Sequence, residues 1–476
     1  MRQFKNSHPN KPRSIPMDKI REIKKRVLND IKPKREDIKA INDISDEIIG
    51  MLRKKADEMN LEADVILVGS ASRDTWVSNG EKRDIDIFAL FPEKFDEDFL
   101  EEKGLFLIEE AMQGWRLEKR YAEHPYIHAF LEREVNGEEM SFEIDLVPCF
   151  DVKDPSEIKS AVDRTPYHNR YIKRNIKGKE DEVRILKKFL EILGVYGSDT
   201  KTHGFSGYLC ELLIIKYGKF EDLLIEASRW KPETYIDLEG HGRYERKEPL
   251  IVIDPVDPKR NVAAALSLNN LSIFIDAARE FLKRPDESYF QKREVEIRSE
   301  EELLKIFSKR GTHLNALSFK RPLFVEDIIY PQLERTIKGI RRKFEELGFK
   351  VMNAYIYMDS KDVLLLFEFE VWALPKVKKH LGPKVFDWKG EESFKRKNRD
   401  FKIHIEDGRY VADKPRKFTT IEEFLEKDVL KCALGKNVRE SMKKGYEILD
   451  LDEILKREDE EVSLRHLRRH PCFQYK

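Results

Sequence analysis

The chain has 476 residues, enough for about three domains at roughly 100 to 200 residues each, so one catalytic module does not account for it. Lys plus Arg total 90 and Asp plus Glu total 90; the zero formal charge excludes a uniformly basic nucleic-acid coat but leaves local basic faces open. Four dispersed cysteines (Cys149, Cys210, Cys432, Cys472) argue against a disulfide framework or zinc site and for a cytoplasmic location, and the apolar stretches fall short of the about 18 residues that span a membrane.

Residues 1–16 mix Pro, Asn, Ser and basic residues and lack a hydrophobic leader core, the composition of a basic disordered arm. Helical periodicity runs from about Asp18 and again from about Glu36 to Asn60, where Ile44, Ile48, Ile49, Leu52 and Ala56 mark one face. Then the period changes. Ala63 to Val68 is a short β-branched run ended by Gly69-Ser70, and alternation returns at Asp84 to Phe88, Trp115 to Tyr121, Tyr126 to Arg133 and Ser141 to Pro148. A sheet with one helical layer is therefore expected over 17–174. The 3.6-residue period takes over at Val183, Leu186, Phe189, Leu190 and Leu193. Gly204 to Lys216, Phe220 to Trp230 and Asn261 to Leu282 extend it, predicting a mainly helical region over 175–290. Residues 291–476 mix types: a helix from about Pro331 to Leu347, strands Lys350 to Met358 and Asp362 to Trp372 joined by Asp359-Ser360-Lys361, and a helix from Ile421 to Leu430 and beyond. The expected fold class is α+β, in several domains. Glutamine occurs five times while Lys and Glu abound, a bias of hyperthermophile proteins.

Chemistry concentrates in Gly69-Ser70-Ala71-Ser72-Arg73-Asp74-Thr75-Trp76 and Asp84-Ile85-Asp86-Ile87. On a strand Asp84 and Asp86 share one face and Ile85 and Ile87 the other. Asp145, on the alternating run Phe142 to Val147, could complete a three-carboxylate cluster, and hard oxygen ligands on rigid strands suit Mg²⁺. Gly69 would let backbone N–H groups approach an anion, with Ser70 and Arg73 as further donors. A phosphate cradle beside a metal site points to phosphoryl or nucleotidyl transfer with two Mg²⁺. Taken alone, Asp-x-Asp on an alternating strand is most often a solvated face. With thirteen residues between Ser70 and Asp84 and a third Asp on a later strand, the set matches the signature of polymerase-β-like nucleotidyltransferases.

In VGSASRDTW, RDIDIF, YAEHPY, FEIDLVPC, SAVDRTPYH, IKGKEDEVRILKKFL, GFSGYLCELLI, VIDPVDPKRNVAAALS, RGTHLNALSF, EDIIYPQLER and HIEDGRYVAD the chain resembles the archaeal, class I CCA-adding tRNA nucleotidyltransferases over nearly its whole length after the arm. The resemblance implies a nucleotidyltransferase head, a helical neck, and an α/β body and tail that hold the tRNA acceptor stem and T arm. It also implies addition of C, C and A to the tRNA 3′ end from CTP and ATP. It puts the metal-binding, catalytic carboxylates on Asp84, Asp86 and Asp145, with Asp84 where some members carry Glu. Ser70 and Arg73 would bind the nucleotide phosphates, His168, Lys187 and Tyr196 would complete the ATP/CTP pocket, and Arg260 would discriminate C and A from G and U. No membrane partner is implied, and a homodimer is left open. Other template-independent enzymes, such as poly(A) polymerases and oligoadenylate synthetases, share Gly-Ser and Asp-x-Asp, while a non-catalytic RNA-binding paralogue would have lost a metal carboxylate.

Structural roles stand beside these. His168 reads equally as a loop residue capping the next helix, Lys187 as a solvated lysine opposite an apolar face, Tyr196 as a surface tyrosine past a helix end, and Ser206 as an N-cap. Zero net charge hides uneven patches: 12 basic and 4 acidic residues in 1–36, a basic run Arg335, Lys338, Arg341, Arg342 and Lys343, and an acid-free tail from Leu464. Such faces bind phosphate by charge, though a salt-bridged surface fits each single run equally well.

Overall fold

The structure, a computed structural model, describes residues 15–78, 83–121, 125–135, 137–155, 158–242, 244–292 and 299–456. Most of the basic arm and the whole of the basic tail from Leu464 lie outside the described residues. The chain divides into two compact units, Met1–Arg293 and Glu294–Lys476.

In the first unit, helices α1 (Met17–Ile31) and α2 (Arg35–Glu58) precede strand β1 (Asp64–Val68). A four-residue helical turn α3 (Gly69–Ser72) leads to β2 (Arg83–Pro92), then α4 (Glu97–Phe99), a π-helical turn over Leu100–Gly104 and α5 (Leu105–Ala111). Strands β3 (Arg116–Tyr121), β4 (Pro125–Val135) and β5 (Glu138–Asp151) complete a five-stranded sheet in the order β1-β2-β5-β4-β3. Only β2 and β5 run parallel; the other pairs are antiparallel.

Alternation decides which face is which. Ile85, Ile87, Ile127, Ile144 and Leu146 pack against Ile41, Ile44, Ile48 and Leu52 of α2 and Leu105 and Ile108 of α5. Each such side chain contributes about 1.5–3 kcal/mol by burial. The intervening residues of β2 and β5, Asp84, Asp86 and Asp145 among them, therefore face away from the helices.

The helical part contains α6 (Thr165–Asn175), α7 (Glu180–Ile192), α8 (Gly207–Tyr217), α9 (Phe220–Ala227) and α10 (Leu268–Lys283), with a short parallel pair β6 (Thr234–Ile236) and β7 (Leu250–Val252). Its core gathers Val183, Leu186, Phe189, Leu190, Leu212, Phe220, Phe274 and Phe281. Helix α1 packs into the same core through Ile20, Ile23, Val27 and Ile31. There Lys24 meets both Glu182 and Glu221 at 2.6 Å, pinning α1 to α7 and α9. Two expected helices start late. The run from Asn261 is irregular until Leu268, because Asn261 is occupied with backbone groups of Leu250, Val252 and Ala263. Helix α8 begins at Gly207, where the Ser206 hydroxyl accepts the Leu209 N–H at 3.1 Å, the N-cap read from sequence.

The second unit runs α11 (Glu300–Arg310), β8 (His313–Lys320), α12 (Glu326–Leu347), β9 (Lys350–Met358), β10 (Asp362–Val371), β11 (Val377–Lys384), α13 (Trp388–Lys397), β12 (Lys402–Glu406), β13 (Arg409–Pro415), α14 (Ile421–Asp428), α15 (Lys436–Lys444), β14 (Glu447–Asp450) and α16 (Leu451–Lys456). One antiparallel sheet has the order β14-β8-β10-β9 and another β11-β13-β12. The expected β9/β10 hairpin forms. Helix α12 begins before Pro331, which lies inside it. Three of its five cations form pairs within the helix, Lys338–Glu334, Arg341–Glu345 and Lys343–Glu346. Among the described residues no helix is long and apolar enough to cross a membrane.

Candidate active site

The parallel register of β2 and β5 sets Asp86 beside Asp145 and Asp84 beside Glu143, so the three expected aspartates share one face of adjoining strands. Across the antiparallel β4/β5 pair His128 lies opposite Asp145, and its Nδ1 is 2.6 Å from Asp145 Oδ1. Gly69 closes the site from β1. Its φ is +71°, and a Cβ there would fall 1.8 Å from Asp86 Oδ2. The glycine and the aspartate, seventeen positions apart in the chain, are thus one constraint. Burial, and then the charge of Asp145, push the Asp86 carboxyl up to about 6, against the pull of Arg73 and Lys187.

This excess of negative charge is what a divalent cation would relieve. Among the described residues no three His, Cys, Asp or Glu side chains are placed, as they stand, to hold a metal ion. The aspartates instead offer an open set of hard oxygen donors, which suits an Mg²⁺ that keeps water and phosphate oxygens in its shell. In charge and donor type the aspartates fit that ion.

The stretch after Gly69 is tied to the helical core by buried polar groups. Arg73 Nε donates to Glu211 Oε1 on α8 at 2.9 Å, and Nη1 to Asn169 Oδ1 on α6 at 3.3 Å. The Thr75 hydroxyl donates to the same Glu211 oxygen. Lys187 Nζ on α7 donates to the Thr75 carbonyl at 3.0 Å, and Arg184 Nε to the Trp76 carbonyl at 2.9 Å. Lys187 is only 4% exposed, not solvated as its helical pattern suggests, and burial holds its ammonium below the usual lysine value. Tyr196 is 37% exposed, yet its hydroxyl lies against the start of α8. That oxygen and Lys187 Nζ lie 3.3 and 3.7 Å from where a Gly207 Cβ would be. Burial pushes its phenol up. Ser70 is half-buried and its carbonyl accepts the Thr75 N–H at 3.0 Å.

His168 sits in the first turn of α6 rather than in a loop. Its Nε2 contacts Asp254 Oδ2 at 2.9 Å and its ring stacks on Tyr208 at 4.1 Å. Burial lowers its pKa, against the hydrogen bond and charge of Asp254, and because a carboxylate oxygen only accepts, the proton shared with Asp254 sits on Nε2. Arg260 Nη1 donates to the same oxygen at 2.8 Å. The nine expected residues thus form two groups. Asp84, Asp86, Asp145, Ser70, Arg73, Lys187 and Tyr196 surround the carboxylate face, while His168 and Arg260 share Asp254. Arg73, whose charge acts on both Asp86 and His168, links the groups. Sequence reasoning missed Glu211, Asp254, Arg184 and His128. Glu211 alone carried a signal, as a carboxylate inside the apolar run Tyr208 to Ile215.

An antiparallel-parallel sheet with carboxylates on adjoining strands and a Gly-Ser turn against them defines a nucleotidyltransferase, and residues 49–168 match the family described as nucleotidyltransferase domain. Residues 181–291 match the tRNA nucleotidyltransferase second domain, and residues 310–450 the C-terminal domain of the CCA-adding enzyme. The chain is 41% identical to the CCA-adding enzyme of Methanosarcina barkeri over 436 residues, covering 90% of this chain and 94% of that protein. With the CCA-adding enzyme of Archaeoglobus fulgidus it shares 39% over 441 residues, 92% and 96% of the two chains. For that of Methanopyrus kandleri the identity is 36% over 475 residues, covering 94% and 95%. The chain belongs to the archaeal-type CCA-adding enzymes, the CCA tRNA nucleotidyltransferases.

Proposed function

We propose that this chain adds C, C and A in turn to the 3′ end of tRNA from CTP and ATP without a nucleic-acid template, with Asp84, Asp86 and Asp145 holding two Mg²⁺ ions. The observation that carries this reading is the strand register that aligns Asp86 with Asp145 over Gly69. Mg²⁺, when bound, supplies an acidified attacking hydroxyl and charge neutralisation on the leaving pyrophosphate. The chain's own residues do the rest. Ser70 and the N–H groups of Arg73 that Glu211 and Asn169 leave over take the triphosphate, joined by the Lys187 ammonium. The Tyr196 hydroxyl and His168 hold the nucleoside, and Arg260 reads the base. The tRNA 3′-hydroxyl attacks the α-phosphorus, losing its proton to solvent as the new O–P bond forms and the bond to the α–β bridging oxygen breaks, and pyrophosphate leaves with that oxygen. His128 holds the Asp145 carboxylate in place through its 2.6 Å contact.

We assign the acceptor stem and T arm of tRNA to the second unit, which contains the match to the CCA-adding enzyme C-terminal domain. A cytoplasmic location is supported by Cys149, Cys210 and Cys432, which are free and buried. The test is Asp86→Ala or Asp145→Ala on tRNA ending at its discriminator base, supplied with CTP alone and then with CTP plus ATP. Both variants are expected to lose C and A addition while binding tRNA nearly as the parent does. Substantial incorporation by either would sink the assignment, and a homopolymer in place of a product stopping after CCA would favour a poly(A)-polymerase type of activity.

A further inference from the structure

Asp254 lies just past β7 and is fully buried, yet its carboxylate gathers donors from three parts of the fold. Oδ2 takes His168 Nε2 at 2.9 Å and Arg260 Nη1 at 2.8 Å, while Oδ1 takes the Tyr208 hydroxyl and the Val256 N–H, both at 3.1 Å. His168 belongs to α6 and Tyr208 to α8, and their rings stack. The loop that carries Arg260 closes on itself. The Asp254 N–H donates to the Arg260 carbonyl at 3.0 Å and the Arg260 N–H to the Asp257 carbonyl at 2.9 Å. Pro255 and Pro258 restrict the backbone between them, and Arg164 Nε reaches Asp257 Oδ2 at 2.9 Å from the turn before α6.

Arg260 lines a cavity of about 940 Å³ with Arg164, Ser206, Tyr244, Arg246 and Asn261, a size that accommodates a nucleotide. Asp254 lies behind that wall and reaches a ligand only through its neighbours. A guanidinium is a donor-only planar fork, so its direction decides what it can recognise. C and A present an unprotonated ring nitrogen, an acceptor, where U and G carry a ring N–H, and an amino group where U and G carry a carbonyl oxygen. A fork held in one direction can deny the carbonyl a partner; a freed fork turns to meet it.

We infer that Asp254 is the positioning residue for base choice, clamping Arg260 on the cavity wall and tying it to His168. This rests on the reading of His168 and Arg260 as nucleotide contacts. The experiment measures kcat and KM for CTP and UTP on tRNA ending at the discriminator base, and for ATP and GTP on tRNA ending in CC, in the full chain and in Asp254→Asn, Arg260→Ala and the double variant. Asp254→Asn is expected to lower the CTP/UTP and ATP/GTP ratios of kcat/KM at least tenfold, to raise the KM for CTP more than it lowers kcat, and to add nothing once Arg260 is Ala. Equal losses on all four nucleotides, or ratios that multiply in the double variant, would overturn it. Relaxed choice in Arg260→Ala with unchanged choice in Asp254→Asn overturns this inference alone; unchanged choice in both overturns the reading of Arg260 and the inference with it. Should Asp254→Asn not fold, Tyr208→Phe removes only the hydroxyl on Oδ1, and a two- to threefold fall in the same ratios is expected, with no change counting against the clamp.

Discussion

A Cβ on Gly69 would collide with the Asp86 carboxylate, and a φ of +71° strains any side chain there, so space and backbone both demand glycine. Gly69→Ala is expected to cut nucleotide incorporation at least about a hundredfold, because Asp86 must move. The left-handed backbone itself costs about 1–2 kcal/mol, so thermal denaturation should shift by only a few degrees. A large fall in melting temperature with retained activity would contradict this. Asp254 makes a second residue-scale prediction. Burial alone would raise its carboxyl, but the hydrogen bond and charge of His168, the Val256 N–H and Arg260 outweigh burial and hold it at about 2. A depressed acid stabilises the fold fully above its unfolded value near 4 and loses that contribution as pH falls through about 2. His168, lowered by burial, has the same sign, since the unfolded chain binds more protons at both groups. Between pH 5 and 2 the parent should therefore lose about 2 kcal/mol more unfolding free energy than Asp254→Asn, read from denaturant titrations at each pH. Equal losses would rule out Asp254 as an ionised anchor.

At the scale of elements, the segment Gly69 to Trp76 joins the sheet to the helical core through charged side chains that periodicity treats as surface. Lys187 and Arg184 lie on α7 among Val183, Leu186 and Phe189, and both are buried because carbonyls of Thr75 and Trp76 meet them. Helical spacing describes which residues share a stripe and carries no information about a loop arriving from a distant strand. The elements around the site were legible, since a β-branched run ended by Gly-Ser located β1 and the turn after it, and alternation located β2, β3, β4 and β5 to within a few residues. The π-helical turn after α4 was not, and neither was the start of α10, which waits for the Ser267 cap. Lys187→Met tests the element-scale reading. A buried ammonium is expensive to desolvate, so the variant should be no less stable by thermal melting, while the KM for both CTP and ATP rises about tenfold or more. A clear loss of stability without a change in KM would make the lysine a structural tie only.

Over the whole molecule the charge of zero is an average. Residues 376–417 hold 14 Lys and Arg against 7 Asp and Glu, a net of +7 in one module of the second unit. Phe386 and Trp388 in it are 87% and 75% exposed. Three of the five cations on α12, a basic run visible in sequence, are instead engaged with neighbouring glutamates. If the second unit binds the helical arm of tRNA through phosphates, affinity should fall with salt on a log–log slope of magnitude about 2.7 or more, corresponding to at least about three neutralised phosphates. Replacing Lys378, Lys384 and Lys389 by Gln should flatten that slope by up to about 2.7. A slope near zero in the parent would exclude phosphate contacts as the main attachment.

What the sequence determined alone was the chemistry: three aspartates at strand spacing, a Gly-Ser turn before them, and helical and mixed regions after them, because these signals are local and set by side-chain period. The tertiary structure decided how those pieces constrain one another. Gly69 lies against Asp86 and Asp145 against His128 only through pairing registers, and Glu211 and Asp254 acquire their roles by receiving donors from segments up to 138 residues away. Burial and contact over such separations are properties of packing, which no run of neighbouring residues encodes.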